Sequence, residues 1–291
     1  MKPVRRNGWG LVEFLIAIAL GLLLTLLASG LLIATASNYR NHSDNAWLAD
    51  SGRYAMQTMA QAIRQGAYIN WDSDLAPPEL DPDAPAAVDG RDAASVSRSS
   101  DGIGTPLPPV ANGSDVLALR FAGSGVSASG DGSSVNCAGF GVAGAAQGWS
   151  IFYVAADAGG EPELRCKYRN ASGWGADAIV RGVDSFQVLY GVDTDVPADG
   201  VPNTYLNATA VQAMAGWKRV CSIKLGLLLH GERNTRSDTV DARHDLFGPA
   251  YSDAHAEDVG VRVVESSLPP SQRLRARRLF HMTVALRNRD G

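Results

Sequence analysis

The sequence predicts an α+β fold in which one long N-terminal helix packs on an antiparallel β-sheet. Three observations predict it. Residues 11–36 are apolar apart from Glu13 and a few small hydroxyl side chains, and they run without a break into a stretch of helical periodicity. No proline stands between Pro3 and Pro77. From residue 116 onward, apolar and polar residues alternate in short runs separated by Gly, Asp and Pro, the pattern of strands and turns.

The helix is read from about residue 11 to about residue 64. Leu48, Ala55, Met59, Ala62 and Ile63 recur at helical spacing, with Asp50, Arg53, Gln57, Gln61 and Arg64 at the other positions, and Gly66 supplies a stop. Its first half is apolar all round and exceeds the roughly 20 residues that cross a bilayer. Its second half is amphipathic and needs a partner surface, most economically a sheet. Ala17, Gly21, Thr25 and Ser29 lie four apart on one face, where another helix can approach closely.

Lys2, Arg5 and Arg6 precede the apolar run, with no comparable cluster after it, so the N-terminus stays cytoplasmic and the rest lies outside. In a bacterium that compartment is the periplasm, where disulfides persist. Glu13 is the only acidic or basic side chain between Arg6 and Arg40 that is charged at neutral pH. A carboxylate in hydrocarbon is costly and calls for a partner or a role. An ordinary secretory signal with an A-x-A site at Ala34-Thr35-Ala36 is the competing reading. Its apolar core would exceed the typical length of about 7–15 residues and would contain a carboxylate. A plain signal anchor, with Glu13 only a favourable charge at a helix N-terminus, is the other.

Residues 70–112 are rich in Pro, Asp, Ala, Gly and Ser and read as a long irregular, mobile loop. Strands follow at about 116–121, 150–155, 163–168, 179–190, 219–229 and 279–287. The segment Asp157-Ala158-Gly159-Gly160 turns the second into the third. Cys221, Ile223, Leu225, Leu227 and Leu229 share one face of the fifth, and Phe280, Met282, Val284 and Leu286 one face of the last. The domains are therefore 9–66 as the membrane helix, 67–113 as the loop and 114–291 as the β-rich domain, with 1–8 as a leader only by what the family resemblance given below implies.

The formal charge is −4, and losing Lys2, Arg5 and Arg6 would lower it by three more, which argues against a generic nucleic-acid binder. Of the three cysteines, Cys166 points inward and Cys137 sits in a Gly/Ser-rich loop just before the hairpin. The expected bridge is Cys137–Cys166, with Cys221 a buried thiol; pairing through Cys221 stays open, since connectivity is not readable from sequence. No Cys-x-x-Cys or paired Cys/His spacing points to a metal. Asp193, Asp195 and Asp199 before Gly200 partly resemble a calcium loop. The spacing is broken by Val196-Pro197-Ala198 and the closing glutamate is missing, so a solvated turn is the plainer reading. His42, His230, His244, His255 and His281 fall in no catalytic motif, and no P-loop or G-x-S-x-G occurs. The chain is read as non-enzymatic, without a cofactor. Arg273, Arg275, Arg277, Arg278, Arg287 and Arg289 give the C-terminal end positive charge. It could hold an anionic partner or simply be a solvated strand edge.

Gly8, Trp9, Glu13 and the apolar run together resemble the class III signal of type IV prepilins. The resemblance implies cleavage between Gly8 and Trp9 by prepilin peptidase, methylation of the Trp9 amine, and a role for Glu13 in assembly. Gly52-Arg53-Tyr54-Ala55, with Ile63-Arg64-Gln65 and Tyr68 further on, is similar to the helix of PilW-like minor pilins. So are the segment from Gly182 to Asp193 and the ending Thr283-Val284-Ala285-Leu286-Arg287-Asn288-Arg289. This implies a type IV pilin-like fold and a minor pilin acting at pilus initiation or in a tip complex. The implied partners are other minor pilins and the major pilin. The implied location is the inner membrane of a Gram-negative bacterium, with the domain in the periplasm, and then the surface pilus. A minor pseudopilin of type II secretion shares the signal and layout. A membrane-anchored periplasmic enzyme is the reading from another class.

Overall fold

A computed structural model describes residues 10–71, 84–170, 172–236 and 241–288. Helix α1 (Leu11–Gln65) is a single rod of 55 residues, about 80 Å long at 1.5 Å per residue. It ends where the sequence places a glycine. The Gly66 N–H donates to the carbonyls of Ala62 and Ile63 at 2.9 and 3.1 Å, and Ala67 turns the chain at φ 58. Leu48, Ala55, Met59, Ala62 and Ile63, the predicted apolar face, are all buried.

The rest of the chain forms two facing antiparallel sheets. The first has the order β1 (Val88–Arg91), β2 (Val116–Ala122), β3 (Gln147–Ala156), β4 (Pro162–Asn170), β5 (Gly173–Arg181). The second has the order β11 (Arg275–Ala285), β8 (Val220–Asn234), β6 (Val183–Val192), β7 (Thr204–Leu206). A third small sheet pairs β9 (Arg243–Asp245) with β10 (Arg262–Val264), and two short helices, α2 (Ala208–Ala213) and α3 (Pro249–Ala254), sit between strands.

The expected α+β layout, a long N-terminal helix on antiparallel strands, holds, and three of its details change. A single sheet under the helix is replaced by two, because β6 is buried along its whole length and β8 along most of it. One face of these strands joins α1 and the first sheet in the main core. The other is covered by Leu246, Val263 and Leu268 packed on Leu228. The strand read at residues 179–190 is broken at Gly182, which has φ +76 and joins the two sheets. Its N–H donates to the Pro162 carbonyl and its own carbonyl accepts from His230 N–H; a Cβ there would lie 2.5 Å from the His230 carbonyl oxygen. Residues 67–113 are not irregular throughout. Val88 pairs with Leu119, Ser95 bridges Leu107, and Ala94, Val96 and Ile103 are buried. Residues 72–83 of that stretch lie outside the described residues.

The fully buried Lys167 holds this segment down. Its Nζ donates to the Ser97 carbonyl at 2.9 Å, the Ser100 hydroxyl at 2.9 Å and the Gly102 carbonyl at 2.6 Å, and lies 4.8 Å from the Trp174 ring centre. Burial pulls its pKa down to about 8, against the opposing pull of Asp101. Asp115 ties the sheets together from within. Its carboxylate accepts from Ala93 N–H at 3.0 Å and Val188 N–H at 2.9 Å, and burial, reinforced by Asp92, pushes its pKa well up.

The C-terminal half of α1 is seated by contacts between segments far apart in sequence. Gly52 has no side chain because the ring of Phe280, on β11, occupies that place: a Cβ would stand 2.2 Å from it. At the end of the helix the Asn288 amide donates to the Gly66 carbonyl at 3.2 Å. We predict that Gly52→Ala lowers stability by about 1–3 kcal/mol, the usual cost of overpacking. Phe280→Leu combined with it is expected to recover part of the loss. Thermal denaturation of the four species measures the coupling, and strictly additive changes would contradict the contact.

Candidate assembly surface

The first half of α1 is covered by nothing among the described residues. Its most apolar 18-residue window has a mean hydropathy of 2.6 and none of it is buried. Large side chains from Leu11 to Ile33 are exposed, Leu26 and Leu31 by more than two thirds. Two of the hydroxyls that interrupt it are satisfied within the helix, Thr25 donating to the Leu22 carbonyl and Thr35 to the Leu31 carbonyl at 2.9 and 2.8 Å. A rod with such a surface is stable only when lipid or other apolar helices surround it.

At its tip, Glu13 lies in the first turn and its Oε2 accepts from the Gly10 N–H at 2.8 Å. This satisfies one of the orphan donors of the helix start, and the carboxylate is well placed toward the positive end of the helix dipole. Gly8 and Trp9, the expected processing residues, lie outside the described residues, as do Lys2, Arg5 and Arg6.

Cys137 and Cys166 are disulfide-bonded across a sequence separation of 29. The bridge fixes the 135–139 loop beside α1, where the Gln65 side-chain amide also donates to the Val135 carbonyl at 3.0 Å. Cys221 is buried, is not part of a disulfide, and its thiol contacts the Gly191 carbonyl at 3.5 Å.

Asp193, Asp195 and Asp199 come within 4.8 Å of one another, the first buried and the others exposed. Their oxygens are engaged locally. Asp193 accepts from the N–H groups of Gly200 and Asp195, Asp199 from that of Val201, and Asp195 from the Asn203 amide. The Gly200 N–H, first among these donors, holds the Asp193 carboxyl below its ordinary range. The arrangement is that of a turn tied together by its own carboxylates.

The C-terminal arginines do not form one solvated charge patch. Arg277 is buried, with Nε 2.7 Å from Asp184 Oδ2, and Arg275 lies 2.6 Å from Glu161. Arg273 donates to the Leu268 and Ser266 carbonyls, and Arg278 lies over the Phe280 ring. Arg287 is exposed and Arg289 lies outside the described residues. The centre of this network is His230, which sequence reasoning did not single out. Nδ1 lies 2.9 Å from Asp184, and Nε2 lies 2.5 Å from Glu161 and 2.7 Å from Arg275. The signal was a polar, ionisable residue inside each of two apolar strands, Asp184 in β6 and His230 in β8. Glu265 extends the network to Arg236 and His244.

The comparisons with known proteins can be set on this geometry. Residues 151–288 match the model of the family described as Type IV Pilus-assembly protein W, PilW. Over that span the chain is PilW-like. The matched region runs from within β3 through β11 and so takes in every strand of the second sheet and the whole His230 network. It includes Phe280 and Asn288, which hold α1, but not the helix itself. A solved type IV-like pilin from Thermus thermophilus aligns at 15% identity and TM-score 0.38, over 82% of this chain and 96% of that one. No curated protein matches.

The network makes the PilW-like domain sensitive to acid. For both Asp184 and Glu161, burial pushes the pKa up. For each, hydrogen bonds from His230 and from its arginine outweigh that push, so both carboxyls are held below their ordinary range. A carboxyl depressed in the fold contributes stability that is present above its unfolded pKa and is lost as the pH falls through its folded value. The melting temperature is therefore expected to drop as the pH falls below about 4, the unfolded carboxyl range. Asp184→Asn is expected to lower it at neutral pH and to flatten that acid limb. Arg277→Ala, which strands a buried carboxylate, is expected to cost about 3–5 kcal/mol. An Asp184→Asn variant with an unchanged pH profile would contradict the assignment.

Proposed function

We propose that this PilW-like chain is a non-enzymatic minor pilin that works in type IV pilus assembly, at initiation or in a tip complex with other minor pilins and the major pilin. The observation that carries the reading is the combination in one chain of a PilW-like domain with a long apolar helix that the domain leaves uncovered. Before assembly the inner membrane covers that helix, with the domain in the periplasm; in the surface fibre other pilin helices replace the lipid. A pseudopilin would share the layout, but the matching family is one of pilus assembly. The buried His230–Asp184 pair is bonded to arginine and carboxylate groups, and among the described residues no serine or cysteine joins it, which supports a structural role. The reading calls for no cofactor.

Processing follows from the residues before the helix. Prepilin peptidase cuts between Gly8 and Trp9, and the new amine is methylated. Mass analysis of the mature N-terminus is expected to show a methylated Trp9; a mature start at Ser37 would support an ordinary secretory signal instead.

Glu13 acts in assembly. The cut places a positive amine four residues before this carboxylate, and each charge is costly in apolar surroundings unless neutralised. In the single chain Glu13 turns back to its own Gly10 N–H. Between packed helices it meets the terminal amine of a neighbour, which favours one axial register over slips that would bury both charges alone. Glu13→Ala is expected to be cut normally after Gly8 yet to fail in joining partner subunits, with Glu13→Asp intermediate. Piliation at the parent level by a processed Glu13→Ala chain would contradict this role.

A further inference from the structure

The first sheet leaves one edge open beside the helix. β5 is its last strand and pairs only with β4, and among the described residues no hydrogen bond reaches its other side. An exposed row of N–H and C=O groups is a template for another strand, and proteins commonly blunt such edges with lysine, proline or a cover. The sequence of β5, Gly-Trp-Gly-Ala-Asp-Ala-Ile-Val-Arg, contains neither lysine nor proline; it carries the charged Asp177 and Arg181, and its register against β4 shifts between Ala178 and Val180.

Two hollows run end to end along this edge, between it and the outward side of α1. One, of about 380 Å³, reaches from Gln65 and the Cys137 loop to Asp177. The other, of about 530 Å³, reaches from Trp47 to Glu232. They share Tyr54, Ala178 and Ile179, so they form one trough. Its walls are set in advance by the Cys137–Cys166 bridge and by the Gln65–Val135 hydrogen bond. Its charge is negative. Asp50, Asp177 and Glu232 line it; Asp50 shares an exposed contact of 3.5 Å with Arg53, Asp177 accepts from the Tyr168 hydroxyl, and the guanidinium of Arg181, which lines it too, is engaged 3.5 Å from both Asp157 and Glu163.

We propose that this trough receives an extended basic segment of a neighbouring pilin subunit, which adds to β5 as a further strand. Main-chain hydrogen bonds to the open edge hold the segment, and its Lys or Arg side chains meet Asp50 and Glu232, which fixes its register. The proposal rests on the reading of the chain as a pilin.

The test is photo-crosslinking in cells from the full-length chain, with benzoylphenylalanine at the exposed Ala178 in one strain and at Leu22, in the apolar half of α1, in another. The Ala178 probe is expected to yield an adduct whose partner peptide is a Lys- or Arg-bearing stretch of another pilin. Asp50→Lys with Glu232→Lys, both surface changes, is expected to lower the yield by roughly fivefold, the upper end for an exposed ion pair. The Leu22 yield is expected to stay unchanged. Pilin adducts at Leu22, combined with Ala178 adducts confined to lipid, to the chain itself or to a protein that is not a pilin, would overturn the trough assignment alone. So would an Ala178 yield that charge reversal leaves intact. Absence of pilin adducts at both positions would overturn the pilin reading and this proposal with it.

Discussion

Everything in this molecule answers to a helix whose first half has no cover. A rod of about 80 Å cannot be enclosed by a domain of this size, and the domain does not attempt it. The two sheets take up only the second half, from Leu48 onward, where the apolar residues retreat to one face. The uncovered half then needs an apolar environment from outside the chain. The hydrophobic effect makes both lipid and a bundle of like helices acceptable and water unacceptable. In a bundle, apolar packing alone leaves the axial register weakly specified. Charge is the natural means of fixing it, and Glu13 is the only acidic side chain near the tip.

The domain must be fixed rigidly to the rod if a register set at the tip is to position its surface. Two features do this. Gly52 lets the helix approach until the Phe280 ring fills the space of a side chain, and Asn288 closes on the helix end at Gly66. Behind this seam the sheets are locked to each other by Asp115, by Gly182 and by the network around His230. Buried charge networks add little net stability compared with apolar packing, but they penalise alternatives strongly, because any rearrangement strands a charge. A part that must present a fixed face to neighbours gains from that penalty.

What was legible in the sequence was what local periodicity encodes. The limits of α1, its buried face, and the strands near residues 116, 150 and 163 follow from apolar spacing and turn residues alone. The strands near residues 219 and 279 and one face of each were legible too; their grouping into a second sheet was not, because β6 is buried on both faces along its length and β8 along most of it, and alternation reports only one face. The arginines of β11 read as surface charge because their partners, Asp184, Glu161 and Glu265, come from other segments. Strand β1 was hidden in a Pro- and Asp-rich stretch whose order comes from Lys167, far along the chain. At the helix tip the spacing of Gly8, Trp9 and Glu13 carries the proposed processing and assembly roles, and of these three Glu13 alone is among the described residues.

The central claim is that the uncovered helix passes from membrane into fibre. The most direct measurement is peptide-level quantification of the chain in shear-released pili and in the inner membrane, each scaled to the major pilin. The account predicts the chain in both fractions, with the fibre fraction at far fewer copies than the major pilin and free of other inner-membrane proteins. A chain confined to the membrane in cells that bear pili would contradict it.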